Sequence, residues 1–273
     1  MPALRYVTCD VFTDTPLAGN QLAVFTDARA LSDTLMQALA LEVGYSETVF
    51  VVPPEQGGHA RLRIFTPGFE LPFAGHPVLG TAFVLGAPLV LGAIELETGR
   101  GTVSVLLQRD ESGRIVFGRM RQPVPTVEPF AETEALFTAL GVAGSIAPGE
   151  LYDNGARHLL VTLPTAGAVE SLAPDRAALA AFDVTGVSCF ARDGARWKTR
   201  MFWERGEDAA TGSAAGPIAC HLARHDLVAW GEEIVISQGA EIGRPSVLHA
   251  RADGGAGLSV DTPARPTPVA WVA

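Results

Sequence analysis

Lysine is almost missing from this chain. Lys198 stands alone against nineteen arginines, so any lysine chemistry runs through one position. Its surroundings, Arg196-Trp197-Lys198-Thr199, contain no glycine, and no GxxxxGK[ST] phosphate loop can form there. Cysteine is nearly as scarce. Cys9, Cys189 and Cys220 form an odd, widely spaced set with no CxxC pair, which excludes a disulfide framework and a thiolate zinc site. GxGxxG is absent, so no dinucleotide-binding unit is read. Gly212-Ser213-Ala214-Ala215-Gly216 is not the GxSxG of a nucleophile elbow. Charged residues make up only 18%, no Lys/Arg run stands out, and the net charge is −10. That balance argues against nucleic acid or an anionic membrane surface as partner. It leaves room for a small anionic ligand in a locally positive pocket.

Two further absences concern location. Asp10 arrives before an apolar targeting core can form, so no signal peptide is expected. The longest uncharged stretch, Pro77 to Ile94, is broken by Gly86-Ala87-Pro88 and flanked by glycines. It reads as buried helix, turn and strand rather than a membrane span. The expectation is a cytoplasmic chain with no membrane partner.

What is present is apolar content, 48% of 273 residues, enough to bury a core as one large domain or two ordinary ones. Strands are expected at Leu4–Phe12, Gln21–Phe25, Thr48–Val52, Ala60–Phe65, Glu95–Gln108 and Ile115–Arg121. A helix is expected over Ser32–Val43 with Ser32 as N-cap. A second set of elements follows: helices at Thr133–Leu140 and Arg176–Phe182, and strands at Arg157–Leu163, Val187–Phe190, Trp197–Trp203, Glu233–Gln238, Ser246–Ala252 and Leu258–Val260, with Asp253 to Gly257 as a hairpin turn. Each half also carries a short helix that is apolar on every face, Pro77–Leu85 and Ser213–Arg224, opened by a glycine loop. Such helices must be buried. The pattern predicts an α+β chain of two similar domains, each a curved mixed β-sheet or barrel around a central hydrophobic helix. The division is 1–121 plus 262–273 against 122–261, with the active site in a cleft between them.

Few residues can carry chemistry. Gly75 and Gly212 open the two apolar helices, where unpaired N–H groups suit an anion or where glycine simply eases entry into the helix. Glu47, in Tyr45-Ser46-Glu47-Thr48, sits in an apolar setting. Buried, it would have a raised pKa and serve as general base and then acid; exposed, it would be an ordinary loop acid. His76 could hydrogen-bond a substrate or cap its helix. Asp208 precedes the second helix, where an acid also complements the dipole. His221 and His225 have metal-ligand spacing, yet no third ligand is evident and no metal is expected.

Several motifs, taken in order, resemble the phenazine-biosynthesis isomerase family (PhzF-like), a branch of the diaminopimelate-epimerase fold. They are Asp10-Val11-Phe12-Thr13 with Gly19-Asn20; Ser46-Glu47-Thr48; Arg63 to Pro67; Glu70 to Pro77 running on to Gly80-Thr81-Ala82; Ala210 to Gly216; and Gln238-Gly239 with Gly243 to Ser246. The resemblance implies a two-domain fold, a homodimer, no cofactor and no metal. It also implies an isomerase that moves a proton and a double bond within a small carboxylate like dihydro-hydroxyanthranilate. It maps the proton shuttle to Glu47, substrate orientation and assistance to His76 and Asp208, and contact with the substrate's polar groups to Ser46, Gly75, Gly212 and Ser213. The chain departs from the family pattern at Gln21, Gly44, Trp203 and Ala209, which bears on the pocket wall. Two-thiol racemases of the same fold carry cysteine where this chain has Ala74 and Thr211, so that chemistry is disfavoured. A non-catalytic binding protein is the remaining alternative.

Overall fold

The computed structural model describes residues 4–203, 206–254 and 269–272. The chain divides between Arg121 and Gln122 into two compact units.

The first unit is a mixed sheet of eight strands: β1 (Val7–Val11), β2 (Asn20–Phe25), β3 (Glu47–Val52), β4 (Ala60–Phe65), β5 (Glu70–Leu71), β6 (Ala93–Thr98), β7 (Gly101–Arg109) and β8 (Ile115–Gln122). Neighbours run β1-β2-β3-β4-β6-β7-β8, with β5 attached to β4. The β2–β3 and β4–β6 pairs are parallel and the others antiparallel. Helix α1 (Asp33–Val43) links β2 to β3, and α2 (Gly75–Gly86) follows β5. The central strands are apolar on both faces because both are covered: Leu22, Ala23, Val24, Val49 and Phe50 are fully buried. On one face, Met36 and Ala40 of α1 pack on Phe25, Phe50 and Phe65. The other face curves around α2, buried from Gly75 to Ala82. Gly80 allows the close approach, since a Cβ there would come within 2.7 Å of Leu22 and 2.8 Å of Val11.

The second unit repeats this topology with one strand added in front. Its strands are β9 (Thr126–Pro129), β10 (Glu150–Asp153), β11 (Arg157–Thr162), β12 (Gly186–Asp193), β13 (Arg196–Trp203), β14 (Gly206–Asp208), β15 (Glu233–Gln238), β16 (Ser246–Asp253) and β17 (Val269–Val272). From β10 onward the order is antiparallel, parallel, antiparallel with a short strand attached, parallel, antiparallel, antiparallel, as from β1 to β8. Helices α3 (Thr133–Leu140), α4 (Ala166–Glu170) and α5 (Arg176–Leu179) cover one face, with Leu136, Leu140, Val169 and Leu179 packed on Leu159, Val161, Val187 and Cys189. Helix α6 (Gly212–Arg224) takes the place of α2 and is buried from Gly212 to Ala223.

The sequence reading and the structure part in two of the elements read above. The single strand read over Glu95–Gln108 is a hairpin. Thr98 accepts from the Arg100 N–H at 3.2 Å and donates to the Gly101 carbonyl at 2.8 Å, which reverses the chain between β6 and β7. Val269–Val272 pairs with β16 and groups with the second unit, whereas 262–273 was assigned to the first. The strand read at Leu258–Val260, most of the turn before it and residues 262–268 lie outside the described residues. The capped helix is present: Ser32 Oγ accepts from the Leu35 N–H at 3.3 Å, and Gly44 closes α1 in the left-handed region. No helix among the described residues is long and apolar enough to cross a membrane.

Candidate active site

The predicted residues assemble within their own units. In the first, Glu47 opens β3, beside the parallel β2, with Ser46 just before it. His76 is the second residue of α2 and 3% exposed. The Nε2 of His76 lies 3.5 Å from Oε2 of Glu47. Asn20, buried at the start of β2, joins the group: its Oδ1 accepts from Ser46 Oγ at 3.2 Å, and its amide nitrogen lies 3.3 Å from His76 Nδ1. An amide nitrogen only donates, so Nδ1 accepts and the ring proton sits on Nε2, towards Glu47. Gly19 sets Asn20 in place. Its φ is +68°, and a Cβ would come within 2.4 Å of the Val11 carbonyl oxygen, so only glycine fits this turn.

Burial pushes the Glu47 carboxyl up to about 7, opposed in part by the adjacent Ser46 hydroxyl. Its Oε2 is buried with no hydrogen-bond partner among the described residues. A carboxyl held near neutrality can accept and return a proton at working pH. Asn20 was not among the residues singled out from sequence; the only signal was its place in the Gly19-Asn20 motif.

In the second unit Thr211 is the N-cap of α6. Its hydroxyl donates to Asp208 Oδ2 at 2.7 Å. Gln238 holds this loop from the side: its amide nitrogen bonds Thr211 Oγ1 at 2.9 Å and the Asp208 carbonyl at 3.0 Å, and its Oε1 accepts from the Thr211 N–H at 3.2 Å. Asp208 is therefore tied to the loop that delivers Gly212 and Ser213, the first two residues of α6. Glu207, beside it in sequence, is instead consumed by a two-point ion pair with Arg200. Ser213 Oγ lies 2.9 Å from Nε2 of the fully buried His158, a residue sequence reasoning missed.

The other chemically suggestive residues are absorbed structurally. All three thiols are raised by burial, Cys9 to about 11 and Cys189 and Cys220 to about 12, so none supplies a thiolate near neutrality. Lys198 is ion-paired with Glu241 at 2.5 Å. His221 and His225 do meet a third group, Glu150 of β10, with ligand atoms within 4.8 Å of one another. That carboxylate already takes the Tyr152 hydroxyl at 2.9 Å, His225 Nε2 at 3.0 Å and the Arg224 guanidinium at 3.3 Å. These bonds make the cluster a clamp between α6 and β10. A groove of about 640 Å³ lined by Leu140, Val142, Ile146, Pro164 and Leu172 holds none of the predicted site residues.

The family model for phenazine biosynthesis-like protein matches residues 9–263. A trans-2,3-dihydro-3-hydroxyanthranilate isomerase from Pseudomonas aeruginosa is 51% identical over 253 residues, covering 92% of this chain and 91% of that protein. Among solved structures, a PhzF-family phenazine biosynthesis protein from Bacillus anthracis superposes with a TM-score of 0.82 over 100% of this chain and 95% of its own, at 23% identity. A hydroxyproline epimerase from Agrobacterium vitis superposes at 0.65 over 93% and 86%, at 13% identity. These last two likenesses concern the fold, which is the two-domain, diaminopimelate-epimerase-like arrangement of two curved mixed sheets.

Proposed function

The chain belongs to the phenazine biosynthesis-like protein family and is an isomerase, and from that premise we propose that Glu47 shuttles a proton between two carbons of a small carboxylate like trans-2,3-dihydro-3-hydroxyanthranilate. The Glu47 carboxylate takes a proton from one carbon, and the electron pair left behind spreads through the adjacent π system. The protonated Glu47 then delivers that proton to another carbon of the system, and the double bond moves. Nothing is gained or lost, so the step needs no redox partner and no group beyond the chain's own residues.

The observation that supports this reading is the setting of Glu47: a largely buried carboxyl raised to about 7, 3.5 Å from an imidazole N–H. That pKa lets one group act as base and then as acid. His76 steadies the charge as it moves, and Ser46 and Gly75 contact the substrate's polar groups. In the second unit, Asp208 orients the substrate, while Gly212 and Ser213 hold its carboxylate with the N–H groups and partial positive charge of the α6 N-terminus. A homodimer with an anionic substrate belongs to the same reading, and sedimentation of the purified chain tests the dimer.

The experiment is turnover of trans-2,3-dihydro-3-hydroxyanthranilate in deuterated water. A single-base shuttle passes a substrate proton to the new carbon in competition with solvent exchange. It predicts partial deuterium at one carbon and complete loss of that signal in Glu47→Gln. Isomerisation by Glu47→Gln at near the parent rate overturns the proposal. The thiol-based racemase alternative gains nothing here, since Ala74 and Thr211 are the N-caps where it would need cysteines.

A further inference from the structure

Helix α6 contains a proline where its hydrogen-bond ladder should be complete. Pro217 has no N–H to give the carbonyl four residues earlier, that of Ser213, and a proline ring crowds the carbonyl at that position. The deficit is met from outside the helix. Asn154, 3% exposed in the turn between β10 and β11, donates its amide nitrogen to the Ser213 carbonyl at 2.8 Å. Gln122 donates to the neighbouring Gly212 carbonyl at 2.6 Å, and its own Oε1 lies 3.2 Å from the Asn154 amide nitrogen.

The Ser213 side chain is held as well, by His158. The other ring nitrogen of His158, Nδ1, is buried with no partner among the described residues. A buried N–H left unpaired is rarer than an under-used acceptor, so the orphan is the bare Nδ1 lone pair and the proton sits on Nε2. His158 then donates to Ser213 Oγ, and the serine's own proton stays free to be given to something else. Burial lowers His158 to about 4, so the ring stays neutral in this role across the physiological range. The first unit carries the same device: Asn20 at the start of β2 bonds the second residue of α2, as His158 near the start of β11 bonds the second residue of α6.

We propose that His158 and Asn154 are positioning residues that fix the first turn of α6 and make the Ser213 hydroxyl an obligatory donor to the substrate's anionic group. The proposal rests on the reading of Ser213 as a substrate contact.

The test compares His158→Gln, whose amide nitrogen can stand in for Nε2, with His158→Asn, whose amide reaches only the Nδ1 position. Each is made in the parent and in Ser213→Ala, with trans-2,3-dihydro-3-hydroxyanthranilate as substrate. The expected result is a KM near the parent's for Gln, a KM raised about tenfold for Asn with kcat little changed, and no further rise when Asn is added to Ser213→Ala. A merely structural histidine would lower the active fraction, and hence kcat, without this split. Asn154→Asp, which faces the Ser213 carbonyl with an acceptor, is expected to raise KM in the same way and covers the case in which His158→Asn does not fold. If Gln and Asn behave alike, or if Asn raises KM as much in Ser213→Ala as in the parent, the proposal is overturned while Ser213 keeps its role. If Ser213→Ala itself leaves KM unchanged, the substrate-contact reading fails and the proposal with it.

Discussion

Oε2 of Glu47 and Nε2 of His76 stand 3.5 Å apart, close enough to feel each other and too far for a strong hydrogen bond. A tighter contact would hold Glu47 ionised, and none at all would leave the carboxyl unassisted. The spacing suits a group that changes protonation during turnover. Glu47→Gln keeps the shape and removes the titrating oxygen. Its kcat on trans-2,3-dihydro-3-hydroxyanthranilate should fall by about 10³-fold, within the range a general acid–base contributes. Circular dichroism should be unchanged.

The same carboxyl affects stability. Its pKa rises from 4.5 unfolded to about 7 folded. A group raised on folding favours the native state below its unfolded pKa, and that contribution is lost as pH climbs through the folded value. Above pH 7 the fold therefore carries a largely buried carboxylate costing at most about 3 kcal/mol. Glu47→Gln should leave the melting temperature near the parent's at pH 5 and raise it at pH 8.5. Equal shifts at both pH values would show that Glu47 is not titrating in this window.

Much of this site was legible in the sequence because its parts are local. Ser46-Glu47 at a strand start and Gly75-His76 at a helix start are read from neighbours in the chain, and the two all-apolar helices announce their own burial. The partners of Asn20, His158 and Asn154 were not legible, because they lie 56, 55 and 59 residues away and a lone polar residue in a strand or turn carries no periodic signal. Pro217 did carry one: a proline inside a helix needs a donor from elsewhere, though not which residue supplies it. The β6–β7 hairpin was missed because strand-forming residues flank Gly99-Arg100-Gly101 on both sides and mask the turn.

Glu150 predicts the opposite pH behaviour to Glu47. Burial alone would raise it, but the hydrogen bonds from His221, His225 and Tyr152, with Arg224 beside them, outweigh that and draw it down to about 2. A depressed carboxyl contributes stability above its unfolded pKa and loses it as pH falls through the folded one. Glu150→Gln should destabilise by up to about 3 kcal/mol at pH 7, and the gap should close between pH 4.5 and 2. Urea midpoints across that range measure it, and a gap constant with pH would remove Glu150 from the acid limb.

Asn20 sets the direction of the His76 proton, and that can be reversed. In the native protein its amide nitrogen faces Nδ1, which leaves the proton on Nε2 towards Glu47. Asn20→Asp keeps an acceptor for Ser46 but turns the donor facing Nδ1 into a second acceptor, so the proton moves to Nδ1 or the ring takes up a second one. In the first case Glu47 faces a bare lone pair; in the second it faces a cation that holds it ionised. Both spoil a carboxyl poised to give its proton back, and kcat should fall by about 10²-fold. Asn20→Leu removes the bond without reversing it and should cost less in kcat, while lowering stability by about 1–3 kcal/mol through the polar groups left buried. Nitrogen-15 chemical shifts of the His76 ring read the change directly: Nδ1 should be the bare nitrogen in the parent and should carry a proton in Asn20→Asp. Identical ring shifts in the two proteins would remove Asn20 from control of the tautomer.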